Sequence, residues 1–231
     1  MINEPLWFLL VLINFLGITL AYRFFGRYGL YAWIAMAVIL ANIQVMKTIS
    51  FFGFVTAMGN IIYGTTFLAT DILVENHGKE AARKGVLIGL FVLIFTTLIM
   101  QVSLMFEPHS SDTLSPALEQ VFSVLPRITF ASIAAYLVAQ MHDIWAFDFW
   151  KRRAKGRHLW LRNNLSTTVS QLLDNFVFTW IAFVGFGVIW NMVFSWEVVV
   201  QIFITSYVMK LIVSVMDTPF IYLSTRMKER A

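Results

Sequence analysis

The sequence lacks cysteine and has few charged residues: 17 Lys+Arg and 13 Asp+Glu among 231 residues, or 13%. An ordinary soluble domain carries about 25% charged residues, so this chain has too few to cover a water-facing globule. The absence of thiols excludes a disulfide-stapled secreted module and a cysteine nucleophile. Hydrophobic side chains make up 59% of the chain, and the mean hydropathy is +0.74. This composition indicates an integral membrane protein.

Seven stretches approach the length of about 20 mostly apolar residues that a membrane-spanning helix needs. They are 6–22, 29–49, 57–74, 85–106, 124–147, 164–189 and 196–224. We therefore predict an all-α polytopic transmembrane bundle, with six spans preceded by an extra N-terminal helix, forming a single domain over residues 1–231. No basic residue precedes the first stretch, so we interpret it as a retained helix and not as a cleaved signal peptide.

The basic residues alternate between the connections. The first, third and fifth connections and the C-terminal tail hold two, three, six and three of the 17 Lys and Arg residues, whereas the N-terminus and the even-numbered connections hold none; the acids Glu4, Glu107, Asp112, Glu119 and Glu197 lie on that side. Lys- and Arg-rich loops remain in the cytoplasm. The sequence therefore predicts an outside N-terminus and a cytoplasmic C-terminus. This topology also explains the basic run at 151–157, so no nucleic-acid partner is expected.

Ionisable residues inside or at the edges of the spans are the strongest functional signal. Each costs at least about 2.5 kcal/mol near the membrane midplane, so it should face the bundle interior, a partner or water. They are Lys47, Asp71, Arg127, Asp143, Asp174, Lys210 and Asp217. At helical spacing, Asp71, Asp143, Asp174 and Lys210 continue rows of polar and aromatic side chains. These rows predict a polar path across the bundle, although an Asp174–Lys210 pair could instead be a structural lock. The fourth span, which carries no charge, should face lipid or a partner.

Motifs for several enzyme classes are missing. The chain has no His-Glu-x-x-His zinc pattern, no Gly-x-Ser-x-Gly elbow and no phosphate-binding loop. We therefore expect no enzyme activity, no ATP hydrolysis by the chain itself, no metal site and no cofactor. A structural membrane protein and a membrane-embedded enzyme remain as rival hypotheses.

Several ordered motifs carry a resemblance to a known family. They include ANIQVMK at 41–47, GTTFLATDILVENHGKEAARK at 64–84 and WLRNNLST at 160–167, followed by Lys210 and Asp217-Thr218-Pro219. Over about residues 38–223, the chain resembles the bacterial queuosine-precursor transporters, which are also called vitamin-uptake-transporter-like. His77 departs from this pattern, since the family more often has Tyr there. The first span lies outside the resemblance.

The resemblance implies uptake of 7-deazaguanine bases across the bacterial cytoplasmic (inner) membrane for tRNA-modification salvage. The cargo would be 7-cyano- or 7-aminomethyl-7-deazaguanine, or queuine. A carboxylate can accept the paired N–H groups of a guanine-like edge, and an amide can donate to its carbonyl. The predicted substrate-binding residues are Asn42, Lys47, Phe67, Asp71, Arg127, Tyr136, Gln140, Asp143, Gln171, Asp174, Lys210 and Asp217. Among them Asp174 and Gln171 suit the base edge, and Asp71 or Asp143 would meet an aminomethyl cation.

The energy source stays open at this level. The chain could be a membrane-embedded binding subunit for this or another planar vitamin that works with an energy-coupling ATPase module. It could instead act alone, by facilitated exchange or by proton coupling through Asp71, Asp143 or Asp217. The expected partners are the lipid bilayer and a purine-like small molecule, with the ATPase module or a second copy of the chain as candidates.

Overall fold

A computed structural model describes residues 2–155, 157–185 and 196–227. Its helices are α1 (Asn3–Gln44), α2 (Asn60–His77), α3 (Lys79–Ser103), α4 (Ser115–Phe122), α5 (Leu125–Arg153), α6 (Leu159–Thr179) and α7 (Trp196–Thr225). A π-helical turn, Trp180–Gly185, continues α6. The predicted helical class is confirmed, with one addition: an antiparallel hairpin of β1 (Thr48–Phe51) and β2 (Phe54–Ala57). The end of the sixth predicted span (186–189), the connection at 190–195 and the tail residues Lys228 and Arg230 lie outside the described residues.

The helix α1 is a hairpin of two antiparallel arms that reverse direction at Gly26. Gly26 has a φ of 56°, a left-handed conformation that glycine adopts readily. A Cβ atom placed on Gly17 would lie 2.6 Å from the Trp33 ring. In a straight helix these residues would be about 24 Å apart, so the two arms must pack side by side. The first and second predicted spans correspond to these arms.

The second arm of α1 ends earlier than the sequence predicts. Helical structure stops at Gln44, and the last residues of the predicted span 29–49 form a turn and the start of β1. The apolar side chains that extend the hydrophobic run, such as Val45 and Met46, line a cavity at this point instead of a helix face. The predicted connection at 50–56 is therefore most of a β-hairpin.

The chain also reverses tightly between α2 and α3. Gly78 alone separates the two helices, and its φ is 83°. The prediction of a polar connection at 75–84 is wrong, because one glycine is enough for the turn and the charged residues continue both helices. The predicted connection at 107–123 is likewise partly helical, since it contains α4.

Burial separates interior helices from lipid-facing ones. In α2, 14 of 18 residues are buried, whereas α3 exposes a row of large apolar side chains that includes Leu87, Phe91 and Leu98. The charge-free span thus has the apolar outer face expected of it. Within the described residues, four helical segments are long and apolar enough to cross a membrane: Asn3–Gln44, Lys79–Ser103, Ser115–Arg153 and Val199–Thr225. The helices α2 and α6 are less apolar because they carry the polar rows. The chain is a multi-pass helical membrane protein.

The two ends of the bundle differ in charge. The basic end gathers the Gly26 turn, the Gly78 turn and the α5–α6 connection, as contacts between them show. Tyr22 Oη lies 3.2 Å from His77 Nε2, and Lys151 Nζ donates to the Glu75 carbonyl at 2.7 Å. The hairpin end holds β1, β2, α4 and the start of α1, where Asn3 Nδ2 donates to the Ser50 carbonyl at 2.8 Å.

Candidate functional site

A cavity of about 520 Å³ lies between the second arm of α1 and helices α2, α5, α6 and α7, near the hairpin end. Small-molecule sites in proteins have volumes of about 300–1,000 Å³. The polar or charged residues of its lining are Asn42, Thr48, Asn60, Tyr63, Ser123, Arg127, Ser132, Asp174, Asn175, Thr179, Ser206 and Lys210. Apolar residues such as Ile128, Phe178 and Ile202 complete the wall. The cavity therefore suits a small guest with both polar and apolar surface.

An acidic residue that carries two short hydrogen bonds lies in this wall. Tyr63 Oη donates to Asp174 Oδ1 at 2.5 Å, and Lys210 Nζ donates to Asp174 Oδ2 at 2.5 Å. The Lys210 ammonium also lies 5.3 Å from the centroid of the Tyr63 ring. The side chains of Asp174 and Lys210 are only 4% and 6% exposed. Each carboxylate oxygen has more than one lone pair, so Asp174 can still accept a hydrogen bond from a guest.

Other polar groups around the cavity are held by neighbouring helices. Ser132 Oγ donates to Asn42 Oδ1 at 2.8 Å, which ties α5 to α1. The Arg127 guanidinium donates to the Ala182 carbonyl in the π-helical turn. A π-helical turn releases carbonyls from the ordinary i→i−4 ladder, and such turns are frequent at functional sites. Within the described lining, Arg127, Lys210 and Asp174 are the charged side chains.

Four of the predicted binding residues line the cavity: Asn42, Arg127, Asp174 and Lys210. Lys47 does not. It faces water, because α1 ends at Gln44 and the turn that follows leaves Lys47 exposed, and its role in substrate binding stays a prediction.

Three predicted residues lie behind the cavity wall. Phe67 and Tyr136 are buried, with ring centroids 5.7 and 6.2 Å from that of Tyr63, so they support the tyrosine that contacts Asp174. Gln140 links α5 to α2, since its Nε2 donates to Thr66 Oγ1 at 2.9 Å and its Oε1 accepts from Thr70 at 3.0 Å.

The remaining predicted residues lie outside the cavity, toward the basic end. Asp71, Asp143 and Asp217 are fully buried or nearly so, at 0%, 0% and 1% exposure. We call these three residues the aspartate triad. Gln171 is also buried, and neither atom of its amide has a hydrogen-bond partner. The structure therefore separates the predicted polar path into a cavity and a deeper acidic cluster.

The structure adds two residues that were not predicted from the sequence: Tyr63, which is partly buried in the cavity wall, and Arg162, which is buried. Tyr63 lies three residues after Asn60 and four before Phe67, on the same helix face as the polar row that ends at Asp71. Helical spacing could therefore have identified it. Arg162 was counted as a loop residue, but α6 begins at Leu159 and buries it to 2% exposure. Its guanidinium binds the Glu75 carboxylate through two hydrogen bonds, at 2.7 and 3.0 Å.

A polar cavity walled by five helices in a multi-pass bundle defines the class of the molecule: it is an integral membrane transport protein. Comparison with known families gives the particular one. Residues 57–224 match the family described as "Putative vitamin uptake transporter", and the chain belongs to this family of queuosine-precursor transporters.

Curated relatives carry consistent names. A Bacillus subtilis protein named "Probable queuosine precursor transporter" is 40% identical over 228 residues, which cover 98% of this chain and 96% of the relative. A Haemophilus influenzae protein with the same name is 33% identical over 57% of this chain and 54% of its own. The Escherichia coli "Queuosine precursor transporter" is 29% identical over 68% of this chain and 70% of its own. No solved structure matches the chain.

Proposed function

We propose that this protein takes up queuosine precursors, 7-deazaguanine bases, across the bacterial cytoplasmic membrane, and that it binds them in the cavity beside Asp174. The observation that carries the proposal is a buried carboxylate, held by Tyr63 and Lys210, in the wall of a base-sized cavity. The names of the three relatives support the choice of substrate.

The chemistry of the cavity fits a guanine-like base. Asp174 can accept N–H donors from the ring nitrogen and the exocyclic amine, while the Lys210 ammonium, which has three N–H donors, can also donate to the ring carbonyl. Phe178 and Ile202 offer apolar surface to the flat faces of the base. Gln171, which the sequence suggested as the amide partner, does not line the cavity, and Asn175 takes its place there.

The charges of the cavity favour a neutral base. Two cationic side chains and one carboxylate face it, and the carboxylate is already paired with Lys210. An aminomethyl cation would add a third positive charge beside Arg127 and Lys210, and like charges repel one another. The aspartates expected to receive that cation lie outside the cavity. We therefore favour 7-cyano-7-deazaguanine over the 7-aminomethyl form as the preferred cargo.

For the topology, we propose seven spans in one domain, with the N-terminus outside and the C-terminus in the cytoplasm. Two spans come from the arms of α1, and the other five from α2, α3, α5, α6 and α7. The gathering of basic residues at one end of the bundle supports this orientation. In this orientation the hairpin end, and with it the cavity, faces the outside.

The absence of cysteine makes the topology directly testable. Single cysteines introduced by Phe52→Cys in the hairpin and by Arg153→Cys at the end of α5 would occupy exposed positions at opposite ends. A membrane-impermeant maleimide added to intact cells should label the first variant and not the second. Labelling of Arg153→Cys alone would reverse the proposed orientation.

Transport is tested with the purified chain alone in liposomes. Radiolabelled 7-cyano-7-deazaguanine should exchange across the membrane, and Asp174→Asn should abolish this exchange because an amide cannot replace a carboxylate that accepts two N–H donors. Asp148→Asn, a partly exposed acid on α5, is the matched control and should exchange like the wild type. Exchange that required an added ATPase module would favour the binding-subunit alternative, and catalytic conversion of the base would favour an enzyme.

A further inference from the structure

The three carboxyl groups of the aspartate triad lie on three different helices inside the bundle, toward its basic end, and no cationic side chain among the described residues pairs with them. Asp71 on α2 lies close to Asp143 on α5 and to Asp217 on α7. No ion pair among the described residues includes a member of the triad. Three buried carboxylates that were all ionised would repel one another and would lack the compensation that buried charges require. The triad must therefore carry a positive ion of some kind in at least one state.

The hydrogen bonds around Asp143 leave its carboxyl group without a donor among the described residues. Both oxygens of Asp143 lack a partner although the residue is fully buried. Three hydroxyls lie nearby, but each donates its hydrogen elsewhere: Ser166 to the Asn163 carbonyl, Ser170 to the Ser166 carbonyl and Thr167 to Asp71 Oδ2. A proton on Asp143 would convert one orphan acceptor into a donor.

The neighbours of Asp143 offer acceptors for such a proton. Asp71 Oδ1 is buried and has no partner, and Asp71 is the side chain to which a protonated Asp143 can hydrogen-bond. Asn163 donates to Asp217 Oδ1 at 2.9 Å, while its own Oδ1, also buried, has no partner. No three acidic or histidine side chains in the described part of the chain converge closely enough to hold a metal ion. The arrangement thus favours a proton over a metal cation.

The charged and titratable side chains that face the triad from the surrounding helices are already engaged. Lys151 and Arg162 both pair with Glu75. His142 is 2.9 Å from Ser170 Oγ, and because that hydroxyl donates to Ser166, the imidazole is the donor in this contact. Lys210 is bound to Asp174 on the cavity side. In the part of the chain that the structure describes, none of these groups forms an ion pair with Asp71, Asp143 or Asp217.

Helices α6 and α7 contribute residues to the cavity and also contact or carry members of the triad. The helix α6 places Thr167 against Asp71 and Asp174 in the cavity wall, and α7 carries both Lys210 and Asp217. A displacement of α6 against α7 would therefore change both sites together. Coupling between two sites requires such a shared element with two arrangements.

We propose that the aspartate triad is a proton-binding site that couples substrate uptake to proton entry, with Asp143 as the group that takes up and releases the proton. The proposal rests on the transport function proposed above. The proton would bind at a carboxylate oxygen of Asp143 in the outward-facing state and would leave to the cytoplasm after the base has been released.

The experiment uses the purified full chain in liposomes with labelled 7-cyano-7-deazaguanine. With the interior one pH unit more alkaline than the outside, coupling of one proton to one neutral base allows roughly tenfold accumulation, because one pH unit corresponds to a factor of ten in an equilibrium constant. A protonophore should abolish the accumulation, and addition of the base should acidify the interior, as reported by a trapped pH indicator. Accumulation driven by a sodium gradient alone, or unaffected by the pH gradient, would overturn the proton site.

Variants and a second assay separate this proposal from the transport function. Asp143→Asn should retain exchange of labelled for unlabelled base and lose accumulation, whereas Asp148→Asn on the same helix should retain both. If Asp143→Asn aggregates on size-exclusion chromatography, Asp217→Asn is used in its place. The pH-gradient assay on the wild type tests the proton site even if neither variant can be purified. Exchange without gradient-driven accumulation in the wild type would overturn the proton site alone. Absence of exchange in the wild type would overturn the transport function.

Discussion

The ion pair in the cavity wall allows stability to be separated from substrate binding. In Asp174→Ala, the Lys210 ammonium remains in a pocket where it is 6% exposed, without its counter-charge, and Tyr63 loses its acceptor. Removal of one partner of a buried ion pair costs about 3–5 kcal/mol. For a protein of this length, that corresponds to a fall in the unfolding temperature of roughly 6–20 °C. The eight tryptophans allow unfolding in detergent to be followed by intrinsic fluorescence.

The double variant Asp174→Ala/Lys210→Met restores the balance of charge. Replacing both partners of a buried pair with apolar residues is often neutral or stabilising, so this variant should unfold close to the wild type and should still fail to transport. Asp148→Ala, in a partly exposed ion pair, is the control and should cost about 0–1 kcal/mol. If Asp174→Ala unfolded at the wild-type temperature, the claim of a desolvated pair would be refuted. Transport by the double variant would remove Asp174 from the binding site.

Three further outcomes follow from the structure. Arg162→Met should destabilise the protein because Glu75 loses its bidentate partner, but by less than the roughly 3–5 kcal/mol that an unpaired buried charge costs, since Lys151 still pairs with Glu75; Arg162→Met/Glu75→Gln should recover part of that loss in the same unfolding assay. Lys47→Ala should leave the rate of uptake in liposomes unchanged, since Lys47 is exposed outside the cavity; a large loss would return it to the binding site. In competition assays, unlabelled 7-cyano-7-deazaguanine should inhibit uptake at lower concentrations than the 7-aminomethyl form, and the reverse order would contradict the charge argument.

Helical periodicity predicted which side chains would point inward. Asp71, Asp143 and Asp217, which end the predicted rows, are buried as expected. An ionisable side chain in a membrane-spanning helix is costly against lipid, so it faces the bundle interior. The expected apolar face of the fourth span is present on α3 for the same reason. Both features follow from the spacing of residues along single helices and from the lipid surroundings that the apolar composition implies. The sequence is therefore sufficient to predict them.

Position along the bundle axis was harder to predict. Spacing on one helix does not show which residues of other helices contact the same guest. The predicted topology puts Asp143 nearer to the cytoplasmic end than Asp174, yet the predicted binding residues include both, and only Asp174 lines the cavity. Lys47 and Arg162 were misplaced because helix ends do not follow from hydropathy. A hydrophobic run continued past the end of α1, and a polar stretch was already helical at the start of α6.

The reversal of α1 at Gly26 brings the beginning of the chain against its end. Phe15, in the first arm, packs on Phe220 of α7 with ring centroids 4.8 Å apart. The ribosome therefore delivers one side of this contact early and the other only after nearly all remaining helices have been made. Until α7 has been synthesised, the face of the first α1 arm that packs on it remains in contact with lipid or with an insertion factor. Closure of the bundle is consequently a late, post-insertion event.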